Sequence, residues 1–379
     1  MIENLRLQNF RSYKDASFEF EGGVNIVVGP NASGKTNLLE AILVLAQGGS
    51  YRARDADLIQ FNKPWVRLDG LFVPGGSRTL KLTRTALQGR SLQGVSKQFV
   101  LADQPHRRLS LEQTVPVVIF EPGHLQLLSR GPDYRRDWLD DLLARSQVGY
   151  KRLINSYRRA LAQRNALLKK PARAAADQLF VWNVRLSDHA GQVAAARATL
   201  VEQINKGLSR TYGQIAGPVE SSASGRRRPV GAFHRAGRRA KLAITYQNQF
   251  SLSNYSSRLL AKLEASTELD LRRGFTAHGP HREDFTIELN RQPAPISASR
   301  GEVRSLVLAL KIFELGLIAK ARDAAPIFLL DDVFSELDGS RRRALVAHLR
   351  DHQTIITTTD ADAVMEYFAA SQNLIALTK

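Results

Sequence analysis

The run Gly29-Pro30-Asn31-Ala32-Ser33-Gly34-Lys35-Thr36 constrains this chain more than any other feature. It fits the pattern G-x-x-x-x-G-K-[ST], and its flanks supply the context that the pattern requires. Before it, Ile2, Leu5, Leu7 and Phe10, then Phe18 and Phe20, alternate as in two short strands and lead into the apolar run Val24 to Val28, which reads as a buried strand. After it, Leu38, Leu39, Ala41, Ile42 and Leu45 carry the three-and-four spacing of a helix that Gly48 and Gly49 end. Strand, glycine-rich turn and helix in this order form a phosphate cradle. Gly29 and Gly34 let the backbone turn tightly and aim its N–H groups at an anion. Lys35 offsets β and γ charge, Thr36 offers a hydroxyl to Mg2+, and Asn37 follows in the first helical turn. The segment predicts a nucleotide site that takes ATP with Mg2+.

The complementary half is Ile327-Phe328-Leu329-Leu330-Asp331-Asp332, an apolar strand that delivers two carboxylates at its C-terminal end, where open parallel sheets place their ligands. Asp331 is expected to hold Mg2+ through its water shell, and Asp332 to orient or deprotonate the attacking water. The plain alternative is a strand ending in two helix-capping aspartates. Shortly before this strand, Ser299-Arg300-Gly301-Glu302 opens a helix predicted from about Glu302 to Lys320, so that a hydroxyl, a glycine N–H and a helix N-terminus converge. Taken alone, S-x-G-E is an ordinary N-cap with an acidic first turn. At this place relative to the two aspartates, it matches the signature of ABC-type ATPases.

Residues 65 to 120 read as short strands: Trp65 to Val73, a turn at Pro74-Gly75-Gly76-Ser77, Thr79 to Leu87, and Val115 to Phe120, in a mostly antiparallel region. From Asp133 to Gly213 the chain is rich in Ala, Leu, Gln and Arg. Leu179, Trp182, Leu186, Val193, Leu200, Ile204 and Leu208 stand at helical spacing, and Pro171 breaks the run, which predicts a helical lobe too broken for a long coiled coil. A Gly, Ser and Arg stretch at 221–240 predicts a mobile basic insertion, either touching DNA or merely solvated. Strand and helix then alternate again: Phe285 to Leu289, the helix ending at Lys320, Ile327 to Leu330, a helix from about Ser340, and Thr354 to Thr357. The fold class is α/β, an ABC-type ATPase head with a mixed sheet around the phosphate loop, an antiparallel β region and a second helical lobe. The expected division is 1–130 as the N-terminal part of the ATPase lobe, 131–275 as the helical lobe, and 276–379 as signature and return to the first lobe.

Composition narrows the partner. A formal charge of +18 and a pI near 10.4 suit a polyanion, with DNA, RNA or an anionic membrane surface as the choices that charge alone leaves open. Arg135, Arg136, Arg145, Lys151, Arg152, Arg158 and Arg159 form a candidate phosphate-contacting face, although exposed helical arginines are often only solvated. The chain has no cysteine, which excludes disulfides, thiolate zinc sites and a thiol nucleophile. No leader-like N-terminus and no apolar run of about 20 residues is visible, so a soluble, unexported protein is expected. His278 and His281 sit in a Gly-Pro turn without a third ligand in evidence, which argues for turn chemistry over a metal site.

Several separated segments together resemble the RecF family over most of the chain. They are Leu7-Gln8-Asn9-Phe10-Arg11-Ser12-Tyr13, the phosphate loop, Phe120-Glu121-Pro122, Arg135-Arg136-Asp137-Trp138-Leu139-Asp140, His278-Gly279-Pro280-His281-Arg282-Glu283-Asp284, Ser299 to Glu302, and Leu329 to Asp338. The resemblance implies a cytoplasmic, nucleoid-associated ATPase of DNA repair, replication and the SOS response, with weak DNA-stimulated hydrolysis. It implies an ATP-dependent homodimer that binds double-stranded and gapped DNA, acts with RecO and RecR, and so helps load the recombinase RecA. Carried over by motif, Asn9, Arg11 and Ser12 lie near nucleotide, Ser299 to Glu302 close the site of a second copy, and Ser335 and Asp338 form a D-loop across the dimer interface, or else simply cap a helix. Thr357-Thr358-Thr359 stands where many ABC proteins place a switch histidine, which leaves the γ-phosphate sensor unassigned, as is the Q-loop glutamine.

Rival readings remain within reach of the same motifs. A transporter ATPase subunit shares the loop and paired acids, but the stretch from Thr36 to Ile327 is longer than transporters use and the L-S-G-G-Q form is missing. An SMC-like structural protein needs a long heptad arm that residues 148 to 213 do not supply. A scaffold that binds nucleotide but scarcely hydrolyses it shares every motif.

Overall fold

A computed structural model describes residues 1–86, 93–170, 172–216, 241–349, 351–368 and 372–378. The basic stretch 221–240 and Pro171 lie outside the described residues. The chain forms two compact units, Met1–His124 with Glu314–Lys379, and Leu125–Phe313.

The first unit opens with strands β1 (Ile2–Phe10), β2 (Tyr13–Glu19) and β3 (Val24–Val28), then helix α1 (Lys35–Gln47) and the single turn α2 (Asp55–Leu58). Strands β4 (Trp65–Phe72), β5 (Gly76–Ala86), β6 (Gln93–Leu101), β7 (Gln104–His106) and β8 (Val117–Phe120) follow. Six of these strands make an antiparallel sheet in the order β2-β1-β4-β5-β6-β7. Leu5 and Leu7 of β1, Val66, Leu68 and Phe72 of β4, and Leu80 and Leu82 of β5 are buried, while Arg6, Arg67 and Lys81 between them are exposed. That alternation leaves one apolar face to be covered, and α1 covers it: Leu38 through Ala46 are buried all round the helix, as expected of a helix with sheet on two sides.

In the second unit come α3 (Pro132–Ser146), α4 (Tyr150–Leu168), α5 (Ala172–Ala216), β9 (Leu242–Gln247), α6 (Tyr255–Ala265), α7 (Thr267–Arg273), β10 (Asp284–Leu289), β11 (Gln292–Pro293), α8 (Ala294–Ser297) and the start of α9 (Arg300–Arg322). The expected helical spacing holds, with Leu179, Leu186, Val193, Leu200, Ile204 and Leu208 buried along α5 and Trp182 half-buried. Buried polar groups lock the unit. Arg164, fully buried, donates to Asn183 Oδ1, Asp270 Oδ2 and Thr276 Oγ1 at 2.6–2.8 Å. Glu283 accepts bonds from the Tyr246 and Tyr255 hydroxyls, both at 2.5 Å, and from the Gln249 N–H at 2.8 Å. Two of the hallmark segments are packing partners: Arg135 grips Asp284 through two bonds, Arg136 reaches the Glu283 carbonyl, and Arg197 joins Asp140 to the Pro280 carbonyl. The stretch 276–313, expected to return to the first lobe, therefore clusters with the second unit, because β10 pairs with β9 and the Glu283 and Asp284 bonds hold it there.

The chain then completes the first unit with β12 (Ile327–Asp331), α10 (Val333–Glu336), α11 (Gly339–Ala347), β13 (Thr354–Thr358), α12 (Asp362–Met365) and β14 (Asn373–Ala376). The second sheet of the unit has the order β14-β3-β13-β12-β8, and every pairing in it is parallel. Parallel and antiparallel pairing are thus divided between two sheets, with α1 in the core they share. Strand β8, expected in the antiparallel region, pairs in parallel with β12 through Phe120 and Leu330. Val117, Val118 and Phe120 are buried on both faces, the continuous apolar pattern of a strand covered on both sides. Strand β6 escaped the sequence reading because Gln, Gly, Ser and Lys dilute its alternation.

Candidate functional site

Strand β3 ends against the phosphate loop, and α1 begins where the loop ends. Gly34 has φ 102, a left-handed value that glycine alone adopts without strain. At Gly29 the need is for space: a Cβ there would lie 2.7 Å from Ser33 Oγ and 2.8 Å from the Leu377 carbonyl oxygen. Lys35 is buried, and its ammonium donates to the Gly29 and Pro30 carbonyls at 2.7 and 2.9 Å, so its charge stays at the loop.

Thr36 and Asp331 come together, the threonine hydroxyl donating to Asp331 Oδ1 at 3.0 Å. Asp332 follows in a left-handed conformation, φ 53 and ψ 24, and among the described residues its buried Oδ1 has no hydrogen-bond partner. Burial pushes the Asp332 carboxyl above the usual range, and the neighbouring Asp331 and Glu336 charges add to this while Ser335 and Lys35 oppose it. The hard oxygens of Thr36 and Asp331 fit Mg2+, which takes one or two protein oxygens beside phosphate and water. Among the described residues, no group of three or more His, Asp and Glu side chains is built to hold an ion by itself.

Behind the loop lies a charged cluster that the sequence reading only half caught. Glu40, buried within α1, accepts two bonds from Arg11 at 2.9 Å, one from Arg52 at 2.9 Å and one from Ser50 at 2.5 Å. Burial works against the charged form, yet the Arg11, Arg52 and Ser50 bonds hold the Glu40 carboxyl below its ordinary value. Asn37 donates to the Ser12 hydroxyl at 2.9 Å and accepts from Arg52 at 2.8 Å. Arg11, Ser12 and Asn37 open onto a cleft of about 490 Å³ that Gln60, Phe61 and Arg84 also line. Neither Glu40 nor Arg52 was singled out from the sequence; the available signal was an acidic residue inside the apolar run Leu38 to Leu45.

Ser299 forms a capping box with Glu302: its N–H and hydroxyl donate to Glu302 Oε2, both at 2.8 Å, and the Glu302 N–H donates to Ser299 Oγ at 3.3 Å. Within one chain the segment therefore does what an N-cap does. Ser335 donates to the Asp332 carbonyl at 2.7 Å, and Asp338 caps α11 by accepting from the Arg341 N–H at 3.0 Å. Of the arginines read as a phosphate-contacting face, Arg135 and Arg136 are mostly buried and committed to Asp284 and the Glu283 carbonyl, which corrects their assignment. Arg145 pairs with Asp141 along α3. Lys151, Arg152, Arg158 and Arg159 are exposed on α4, with Arg158 also bonded to Asp137. The two nitrogens of His281 are both engaged, Nδ1 by the Tyr157 hydroxyl at 2.6 Å and Nε2 by the Thr276 carbonyl at 3.0 Å.

A phosphate loop between a parallel strand and a buried helix, with two aspartates at the end of β12, the next strand but one in the same sheet, and a helical unit inserted between in sequence, makes this an ABC-type ATPase head. The family model for the RecF/RecN/SMC N-terminal domain matches residues 1–379. The DNA replication and repair protein RecF of Heliobacterium modesticaldum is 33% identical over 378 residues, 96% of this chain and 93% of its own length. RecF of Moorella thermoacetica is 32% identical over 95% of this chain and 90% of its own. A solved structure of the recombination mediator protein RecF with ATPrS, from the RecFOR pathway, superimposes with a TM-score of 0.82 at 27% identity, covering 99% of this chain and 96% of that one. The chain belongs to the RecF family. Among its described residues, no helix is long and apolar enough to cross a membrane.

Proposed function

We propose that this chain is an ATP-dependent, DNA-binding protein of recombinational repair and replication, which dimerises on ATP and acts with RecO and RecR to help load RecA at single-strand gaps and junctions. The observation that carries this reading is the contact of Thr36 with Asp331, which unites the two halves of an ATPase site beside Lys35 and Asp332. ATP would lie with its phosphates on the Gly29–Thr36 backbone and its nucleoside in the cleft beside Arg11, Ser12 and Asn37. Thr36 and Asp331 would hold Mg2+, which when bound neutralises charge on the transferred phosphoryl group. Lys35 would place its ammonium against the β- and γ-phosphates, and Asp332 would orient the attacking water and take its proton.

Ser299, Arg300, Gly301 and Glu302 of a second copy would close the far side of the nucleotide, with Ser335 and Asp338 at the same interface. In that role Ser299 turns its hydroxyl proton from Glu302 toward the γ-phosphate. Neither copy then carries a whole site, and ATP becomes the bond of a two-fold dimer. Lys151, Arg152, Arg158 and Arg159 would meet the DNA backbone, and weak hydrolysis stimulated by DNA would release the dimer. Sedimentation at micromolar protein with and without MgATP tests the dimer: a monomer population unmoved by ATP, or moved equally in Ser299→Ala, overturns it. Binding to duplex, single-stranded and gapped DNA at stated salt tests the repair role, which equal affinity in every case would remove.

A further inference from the structure

Thr357-Thr358-Thr359 stands where a switch histidine is absent, and the first of these threonines is fully buried on β13 with its hydroxyl between the two aspartates of the site. Thr357 Oγ1 lies 2.9 Å from Asp331 Oδ1, 3.0 Å from the Asp332 nitrogen and 3.3 Å from the Leu330 carbonyl oxygen. A hydroxyl has one proton to give and lone pairs to accept with. It accepts from the Asp332 N–H and directs its own proton to the nearer acceptor, the Asp331 carboxylate. The Thr36 hydroxyl reaches the same Oδ1 at 3.0 Å. Two hydroxyls thus fix one oxygen of Asp331, and with it the orientation of the carboxylate that would hold the metal.

The second aspartate depends on the same residue. Asp332 is left-handed at φ 53, a conformation uncommon outside glycine though aspartate tolerates it better than most, and its surroundings here hold it. Its N–H is received by the Thr357 hydroxyl at 3.0 Å and by the Thr357 carbonyl at 3.2 Å. We propose that Thr357 is a positioning residue, whose single hydroxyl sets the direction of both the metal-holding and the water-orienting carboxylate. It stands on the strand next to theirs, paired at Asp331 and Thr357, so the coupling needs no moving part.

The proposal rests on the reading of this site as one for MgATP, and the test separates the two. In the full chain, Thr357→Val keeps the shape and removes the hydroxyl, Thr357→Ser keeps the hydroxyl, and Thr354→Val removes a buried hydroxyl from the opposite end of β13, where it donates to the His352 carbonyl. A fluorescent ATP analogue is titrated with Mg2+ and with EDTA, and turnover is followed against Mg2+ concentration. Thr357→Val is expected to raise the Mg2+ needed for half-saturation and to lower turnover, each about tenfold, with analogue affinity in EDTA kept within about twofold. Thr357→Ser is expected to restore both, and Thr354→Val to leave the Mg2+ requirement unmoved. Wild-type Mg2+ dependence in Thr357→Val overturns the proposal, as does Thr357→Ser failing with it, which would mark methyl packing instead. Should the valine chain not fold, Thr357→Ala carries the same comparison. A wild-type chain that binds no MgATP analogue overturns the nucleotide reading and this proposal with it, whereas normal wild-type binding with an unaffected valine variant overturns this proposal alone.

Discussion

Thr36 and Asp331 are 295 positions apart in the chain, and a single hydrogen bond of 3.0 Å joins them. The bond ties the first turn of α1 to the end of β12, so the phosphate loop and the paired aspartates are held to one frame. Just beyond it stands Asp332, the residue proposed to orient and deprotonate the attacking water.

Asp332→Asn keeps that side chain's shape while removing its charge and basicity. Turnover is expected to fall about 10²–10⁴-fold, the usual contribution of a positioned base, with binding of a fluorescent ATP analogue unchanged. Single-turnover assays beside Lys35→Arg check this. Full turnover in Asp332→Asn would leave the residue as a helix cap and nothing more.

His281 gives the second unit a pH dependence. Burial depresses its pKa from 6.5 to about 4, with the Arg282 and Arg136 charges adding and the bond to the Thr276 carbonyl opposing. The unfolded chain takes up a proton near pH 6.5 and the folded one does not until about pH 4. Stability is therefore complete above pH 6.5 and declines as pH falls toward 4, by about 3 kcal/mol in all. Urea unfolding at neutral and mildly acidic pH measures the decline, which His281→Gln should flatten; an equal slope in both chains would assign it to other groups.

Arg164 and Asp270 have side chains with 0% exposure, and Asp270 Oδ1 has no hydrogen-bond partner among the described residues. Arg164→Met strands a buried carboxylate and is expected to cost about 3–5 kcal/mol. Arg164→Met with Asp270→Leu removes both charges and should be the more stable of the two variants. A double variant no better than the single one would place the energy in the Asn183 and Thr276 bonds instead.

On the exposed face of α4, replacing Lys151, Arg152 and Arg159 with alanine should weaken duplex binding. It should also reduce the slope of log affinity against log salt by about 2.7, roughly 0.9 per phosphate contact. Arg135→Ala should leave that slope alone and lower stability through loss of its Asp284 pair. Titrations over a salt series distinguish the two, and an unchanged slope in the triple variant would move the DNA contact elsewhere.

The phosphate loop and the paired aspartates were legible because each is a short continuous run whose chemistry needs those residues side by side. The strands around them were legible from apolar continuity, as at Ile327 to Leu330. What the chain did not reveal depends on partners far off in sequence. Arg135 and Arg136 look like any exposed basic pair until Asp284 and Glu283 fold against them. Arg11 was placed near the loop, but its guanidinium engages Glu40, whose burial only the packing of α1 between two sheets creates. Ser299 presents the reverse case, since its capping bonds to Glu302 are local and say nothing of a second copy. Thr357 was marked only as standing where a switch histidine was missing, because what its hydroxyl touches is unknown until its register against β12 is known.

Strand β3, which carries the phosphate loop, lies between β13 and β14, and both belong to the far end of the chain. A ribosome must therefore pass residue 354 before the loop strand can acquire either flanking neighbour. The helical middle meets all its own sheet partners earlier and is free to settle first. An interrupted synthesis product would carry the Gly29–Thr36 residues without the scaffold that shapes them, and so would compete poorly for nucleotide with the finished molecule.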